Sequence, residues 1–145
     1  MRILVVEGPN LNLVGTREPA IYGSETLAQI HDRVRARAAE LGVDADFFQS
    51  NHEGRILDRL HERDFDGVLI NAGGLTHTSV ALRDALLGIG RPFVEVHLSD
   101  PATREPFRRV NFLHDVAVAS VVGQGPRGYV LGLDALVDHL AEAAS

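Results

Sequence analysis

Apolar positions follow two rhythms along this chain. Short continuous runs rich in β-branched residues alternate with longer stretches in which an apolar residue returns every three or four positions. The first run, Arg2–Glu7, stops at Gly8-Pro9 and reads as a buried strand. Residues 10–23 then show no periodicity, and a loop of that length in a compact domain is usually functional or mobile. Thr26 with Gln29 forms a capping box, and Leu27, Ile30, Val34, Ala38 and Leu41 keep helical spacing up to Gly42.

The alternation continues to the end. A strand is predicted over 43–49, followed by a helix capped by Asn51 and carrying Ile56, Leu57 and Leu60. A strand over 67–70 leads through Asn71-Ala72-Gly73-Gly74 to a helix starting near Thr78-Ser79. A further strand over 92–96 precedes an irregular stretch, 100–115, with a helical turn around 104–108. A last strand over 116–122 is followed by a helix striped by Tyr129, Leu133, Leu136, Val137 and Leu140. Apolar strands alternating with amphipathic helices mean a parallel sheet covered on both faces. Five such strands predict the flavodoxin-like α/β order 2-1-3-4-5, in one domain spanning 1–145.

Composition narrows the partners. The net charge of −6, without a basic run, offers nothing to nucleic acid. The absence of cysteine excludes disulfides and thiolate chemistry, and the seven histidines lack paired metal-ligand spacing, so no metal site is expected. No apolar run reaches membrane length, and the first residues read as a strand rather than a signal peptide; a cytoplasmic protein is expected.

Chemistry concentrates at the predicted carboxyl ends of the strands. In Val94-Glu95-Val96-His97-Leu98-Ser99, Glu95 and His97 are two apart and share a face. A carboxylate beside an imidazole selects its tautomer and favours the charged ring, which suits a proton donor. In an open parallel sheet the ligand crevice lies where strand order reverses, between the first and third strands. Gly8-Pro9-Asn10 and Asn71-Ala72-Gly73-Gly74 meet there, with His97-Leu98-Ser99 next door and His77 close by. Arg17 and Tyr22 stand in the long first loop, where no core needs them. His31, His61 and His139 read as surface positions on helices, and His52 and His114 have no assigned role. Gly123-Gln124-Gly125-Pro126-Arg127-Gly128 matches a dinucleotide fingerprint, but it follows the last strand and completes no βαβ unit. It reads better as a glycine-rich edge turn, the alternative being a nucleotide- or flavin-binding module.

These residues resemble type II 3-dehydroquinate dehydratases over nearly the whole chain. The likeness rests on Gly8-Pro9-Asn10-Leu11-Asn12-Leu13, Gly15-Thr16-Arg17-Glu18-Pro19 and Tyr22-Gly23. It continues through Gln49-Ser50-Asn51-His52-Glu53-Gly54, residues 71–79, Glu95-Val96-His97-Leu98-Ser99, Arg104-Glu105 with Phe107-Arg108, and Gly128-Tyr129. The resemblance implies a flavodoxin-like fold, usually a dodecamer of four trimers, and reversible trans-elimination of water from 3-dehydroquinate without metal or cofactor. It implies Tyr22 as base, Arg17 as its support, Asn10 as holder of a water against the enolate, and His97, oriented by Glu95, as acid. Asn71 and the backbone of Leu98 and Ser99 would receive the carboxylate, with Gly73 and Gly74 in the same loop cluster. His77, Arg108 and Asp84 would hold ring hydroxyls, Asp84 from a neighbouring subunit. Three places depart from the pattern: Glu7 where asparagine is usual, Asp100 after His-Leu-Ser, and Val110-Asn111-Phe112 after Arg108-Arg109. Asp100 would add a negative charge near the carboxylate pocket.

Overall fold

A computed structural model describes residues 1–16, 20 and 24–145. Its sheet has five parallel strands in the order β2-β1-β3-β4-β5, matching the predicted topology. They are β1 (Arg2–Glu7), β2 (Asp44–Gln49), β3 (Gly67–Asn71), β4 (Phe93–His97) and β5 (Ala119–Val122). Among the described residues four longer helices pack against the sheet: α1 (Leu27–Leu41), α2 (Glu53–His61), α3 (Val80–Gly88) and, after the last strand, α4 (Arg127–Ala144).

Strand periodicity divides the core in two. Ile3 and Val5 of β1, Leu69 of β3, and Val94 and Val96 of β4 pack with Ile30 and Val34 of α1 and Leu133 and Leu136 of α4. Leu4, Val6, Val68, Ile70 and Phe93 turn the other way, onto Ile56 and Leu60 of α2 and Leu82 and Leu86 of α3. The central strands are apolar on both faces because helices cover both, so their runs do not alternate.

The helix signals act largely as their chemistry requires. Thr26 accepts from the Gln29 N–H at 3.2 Å while the Gln29 side chain accepts from the Thr26 N–H at 2.9 Å, and Gly42 ends α1 at φ 69°. Asn51 is not the cap of α2. Its carboxamide oxygen accepts from the Asn10 N–H at 2.9 Å and from Gln49 Nε2 at 3.2 Å, and His52 takes the cap position without a side-chain bond. The last strand starts later than residue 116, because His114–Val116 closes a 3-10 turn in which Val116 and Ala117 both donate to the Leu113 carbonyl. The irregular stretch before it also holds 3-10 turns Pro101–Thr103 and Pro106–Arg109.

Candidate functional site

The carboxyl ends of β1, β3 and β4 meet because a glycine lets them. Gly8 follows β1 so closely against β3 that a Cβ there would lie 2.2 Å from the Ala72 carbonyl oxygen. Its N–H donates to the Asn71 carbonyl at 2.8 Å. Gly73, at φ 58°, turns the chain after β3 across Pro9. The cleft between these ends has a volume of about 170 Å³ and is lined by the three loops expected there.

Asn10, Asn71, Gly73, Gly74, His77, His97, Leu98, Ser99 and Arg108 all line this cleft. Arg17 and Tyr22 lie outside the described residues. Asp84 is on the exposed face of α3, with His61 and Arg63 around a separate depression, and does not join the cleft of its own chain. Arg104, which had no assigned role, also lines the cleft.

Glu95 and His97 form the site's most strongly held pair. His97 Nε2 lies 2.8 Å from Glu95 Oε2, and both side chains are almost fully buried. A carboxylate can only accept, so Nε2 carries the proton and Nδ1 is the ring nitrogen left for a ligand. Two further donors converge on the same carboxylate: Ser120 Oγ at 2.7 Å on Oε1 and Asn111 Nδ2 at 2.8 Å on Oε2. Burial alone would raise the Glu95 pKa, but the hydrogen bonds from His97 and Ser120, the charge of His97 and the Asn111 amide outweigh it and hold it at about 2. Glu95 is therefore an anion throughout the neutral range. His114, exposed, adds a contact at 3.5 Å to Glu95 Oε1.

Sequence reading missed Ser120, Asn111 and His114. Ser120 was the only polar residue of the run 116–122, and Asn111 stood within a stretch that departs from the family pattern. Ser120 reaches Glu95 because the two are register partners on β5 and β4.

The remaining polar groups are also oriented. His77 Nδ1 lies 2.6 Å from the Val110 carbonyl, which makes Nδ1 the donor and leaves Nε2 as the other ring position. Arg108 donates through Nε to Glu105 at 3.2 Å. Asn10 adopts a left-handed conformation at φ 70°, which asparagine tolerates better than most residues. The Asp100 carboxylate caps the turn Pro101–Thr103 by accepting from the Ala102 N–H at 3.0 Å.

His31 is a correction to the surface assignment. It is buried on α1, with Nε2 2.7 Å from Glu7 Oε2. The Tyr129 hydroxyl donates to Glu7 Oε1 at 2.6 Å and accepts from Asn71 Nδ2 at 3.0 Å. Burial raises the Glu7 pKa against the opposing hydrogen bonds from His31 and Tyr129. Burial, with the nearby Glu7, raises that of Tyr129 well above its ordinary value. The glycine-rich turn after β5 behaves as an edge turn: the Gly123 N–H donates to the His97 carbonyl at 3.2 Å and the Gly125 N–H to Leu98 at 3.0 Å. Two of its N–H groups thus brace the end of β4 rather than face a phosphate.

Among the described residues no group of three or more His, Asp or Glu could hold a metal ion. Nor is any helix there long and apolar enough to cross a membrane. A doubly wound parallel sheet with an imidazole–carboxylate pair and convergent amides at its carboxyl edge defines a flavodoxin-like α/β enzyme built for acid–base work on a small polar molecule. The family described as dehydroquinase class II matches residues 1–137, and the chain belongs to that family. It is 53% identical over 144 residues to 3-dehydroquinate dehydratase of Thioalkalivibrio sulfidiphilus, covering 97% of each chain. It is 50% identical to catabolic 3-dehydroquinase 2 of Neosartorya fischeri, over 97% of this chain and 95% of that one. The crystal structure of type II dehydroquinase from Butyrivibrio crossotus superposes with a TM-score of 0.92 at 39% identity, covering 94% of this chain and 97% of that one.

Proposed function

We propose that this chain carries out its family's reaction, the reversible dehydration of 3-dehydroquinate to 3-dehydroshikimate, through an enolate and without metal or cofactor. Tyr22 is the base: its phenolate takes the proton from the carbon beside the ketone, and the C–H electron pair becomes the enolate. Arg17 favours the phenolate by its charge. Asn10 holds a water against the enolate oxygen. As the enolate collapses, the carbon–oxygen bond to the departing hydroxyl breaks. His97, oriented by Glu95, gives that oxygen its proton, so water leaves.

Asn71 and the backbone N–H groups of Leu98 and Ser99 receive the substrate carboxylate, beside Gly73 and Gly74 whose backbone a ligand can approach closely. His77 and Arg108 hold ring hydroxyls, and Asp84 reaches in from a neighbouring subunit of a dodecamer of four trimers. The enzyme works in the cytoplasm.

The observation that carries this reading is the buried Glu95–His97 pair in the cleft of a chain matched to the family over residues 1–137. Purified protein with 3-dehydroquinate and no added cofactor should generate the ultraviolet absorbance of a conjugated enone. Tyr22→Phe should abolish it, and a variant that retains most activity would assign the base elsewhere. Sedimentation at assay concentration tests the assembly, since a fully active monomer would overturn the role of Asp84.

A further inference from the structure

Beneath the cleft, on the sheet face opposite Glu95, four side chains are joined in one direction. The Gly73 N–H can only donate, and it meets Asn71 Oδ1 at 3.1 Å. The carboxamide is thereby oriented, with Nδ2 donating to the Tyr129 hydroxyl at 3.0 Å. That hydroxyl owns one hydrogen, and it goes to Glu7 Oε1 at 2.6 Å. Glu7 Oε2 meets His31 Nε2 at 2.7 Å. Glu7 is wholly buried and Tyr129 nearly so, out of contact with bulk water.

We infer that Glu7 is a positioning residue for substrate binding: by accepting the Tyr129 hydrogen it makes that oxygen an acceptor for Asn71, and so presents the second Asn71 Nδ2 hydrogen to the cleft. The inference rests on the proposed role of Asn71 toward the substrate carboxylate. Only one end of the chain of bonds is negotiable. The proton between Glu7 and His31 can sit on either partner, because Oε1 accepts from Tyr129 in both cases. The Tyr129 hydrogen cannot be placed elsewhere: an apolar side chain at position 7 removes its acceptor, and the hydroxyl then turns its hydrogen toward Asn71. Two hydrogens would face each other, and the amide must rotate or break from Gly73. A carboxylate-binding donor acts equally on bound substrate and transition state, so its misplacement is read in KM rather than kcat.

The experiment compares Glu7→Leu, Glu7→Gln and Tyr129→Phe. Glu7→Leu and Tyr129→Phe should each raise KM for 3-dehydroquinate about tenfold, the worth of one buried hydrogen bond, while kcat changes less than about threefold. Glu7→Gln should restore KM to within about twofold of the parent, because its amide oxygen accepts from Tyr129 and its amide nitrogen can donate to His31. A residue that only held the fold together would lower the melting temperature and leave KM unmoved in the folded fraction. Unmoved KM in both apolar variants, or a Glu7→Gln that behaves like Glu7→Leu, would overturn the inference. Where Glu7→Leu does not fold, Tyr129→Phe decides alone. The same variants titrated calorimetrically with quinate, a saturated ring carboxylate, should follow the same order in Kd. Parent protein that binds quinate but never dehydrates 3-dehydroquinate removes the proposed reaction and leaves this inference standing; equal quinate affinity across the variants removes the inference alone.

Discussion

The protein carries two glutamate–histidine pairs that are nearly identical as chemistry and opposite in behaviour. Glu95 meets His97 at 2.8 Å and Glu7 meets His31 at 2.7 Å, each through Nε2 and Oε2, each near the carboxyl edge of the sheet. They project to opposite faces, toward the α2–α3 layer and the α1–α4 layer. Glu95 is held at about 2, whereas the Glu7 pKa is raised. The difference lies in what balances the loss of water. Glu95 collects His97, Ser120 and Asn111 as donors, and His114 stands beside it at the surface. Among the described residues Glu7 has His31 and Tyr129 alone as side-chain donors and is wholly buried, so desolvation dominates. One pair therefore keeps an anion behind the cleft's imidazole across the neutral range, and the other sets hydrogen-bond direction without needing a charge.

Histidine substitutions should separate the pairs most sharply. His97→Ala should lower kcat about 10²–10⁴-fold, the ordinary contribution of a positioned proton donor, with KM changed far less. His31→Ala should leave kcat within a few fold, measured in the same enone assay. Comparable kcat losses in both would erase the distinction.

The next largest effect concerns acid stability. The Glu95 pKa lies below its ordinary value of 4.5, at about 2, so its folded-state charge stabilises the protein above pH 4.5. That contribution, on the order of 3 kcal/mol, should disappear as pH falls from 4.5 through about 2. Glu7 has the reverse sign: its raised pKa means stability is lost as pH rises above its ordinary value. In urea unfolding at pH 6.5, Glu95→Gln should be less stable than the parent and Glu7→Gln no less stable. At pH 3 the deficit of Glu95→Gln should shrink.

Ser120→Ala should cost about 1 kcal/mol by removing one donor from a buried carboxylate, and should lower kcat a few fold through a looser His97. Unfolding and turnover of the same preparation check both. The smallest effect belongs to His114, whose side chain is 69% exposed, where solvent screens its contact with Glu95. His114→Ala should keep activity within about twofold, and a larger loss would show that the exposed imidazole matters to the carboxylate behind it.

Asp100 shows what geometry adds to a charge read from sequence: its carboxylate accepts the Ala102 N–H and closes a turn, and it lines a second pocket with Glu95, His97 and Arg108 rather than the cleft itself. The glycine-rich segment 123–128, read as an edge turn despite its dinucleotide fingerprint, uses two of its N–H groups to hold the His97 and Leu98 carbonyls.

What the chain determined by itself was whatever depends on neighbours in sequence. Strand and helix periodicity located the elements, and five alternating strands suggested the flavodoxin-like order they adopt. The two-residue spacing of Glu95 and His97 placed them on one face before any packing was known. The loops that meet at the cleft followed from strand order alone. Tertiary structure decided the rest, because it rests on contacts between distant residues. The Glu7–Tyr129 bond spans 122 positions and the Glu95–Ser120 bond 25. No local pattern says that a histidine on an amphipathic helix will turn inward to a buried glutamate, as His31 does. Nor does it say which carboxylate will gather enough donors to stay charged. Those outcomes depend on how much water packing removes and how many hydrogen-bond donors it leaves in place, and a linear sequence records neither quantity.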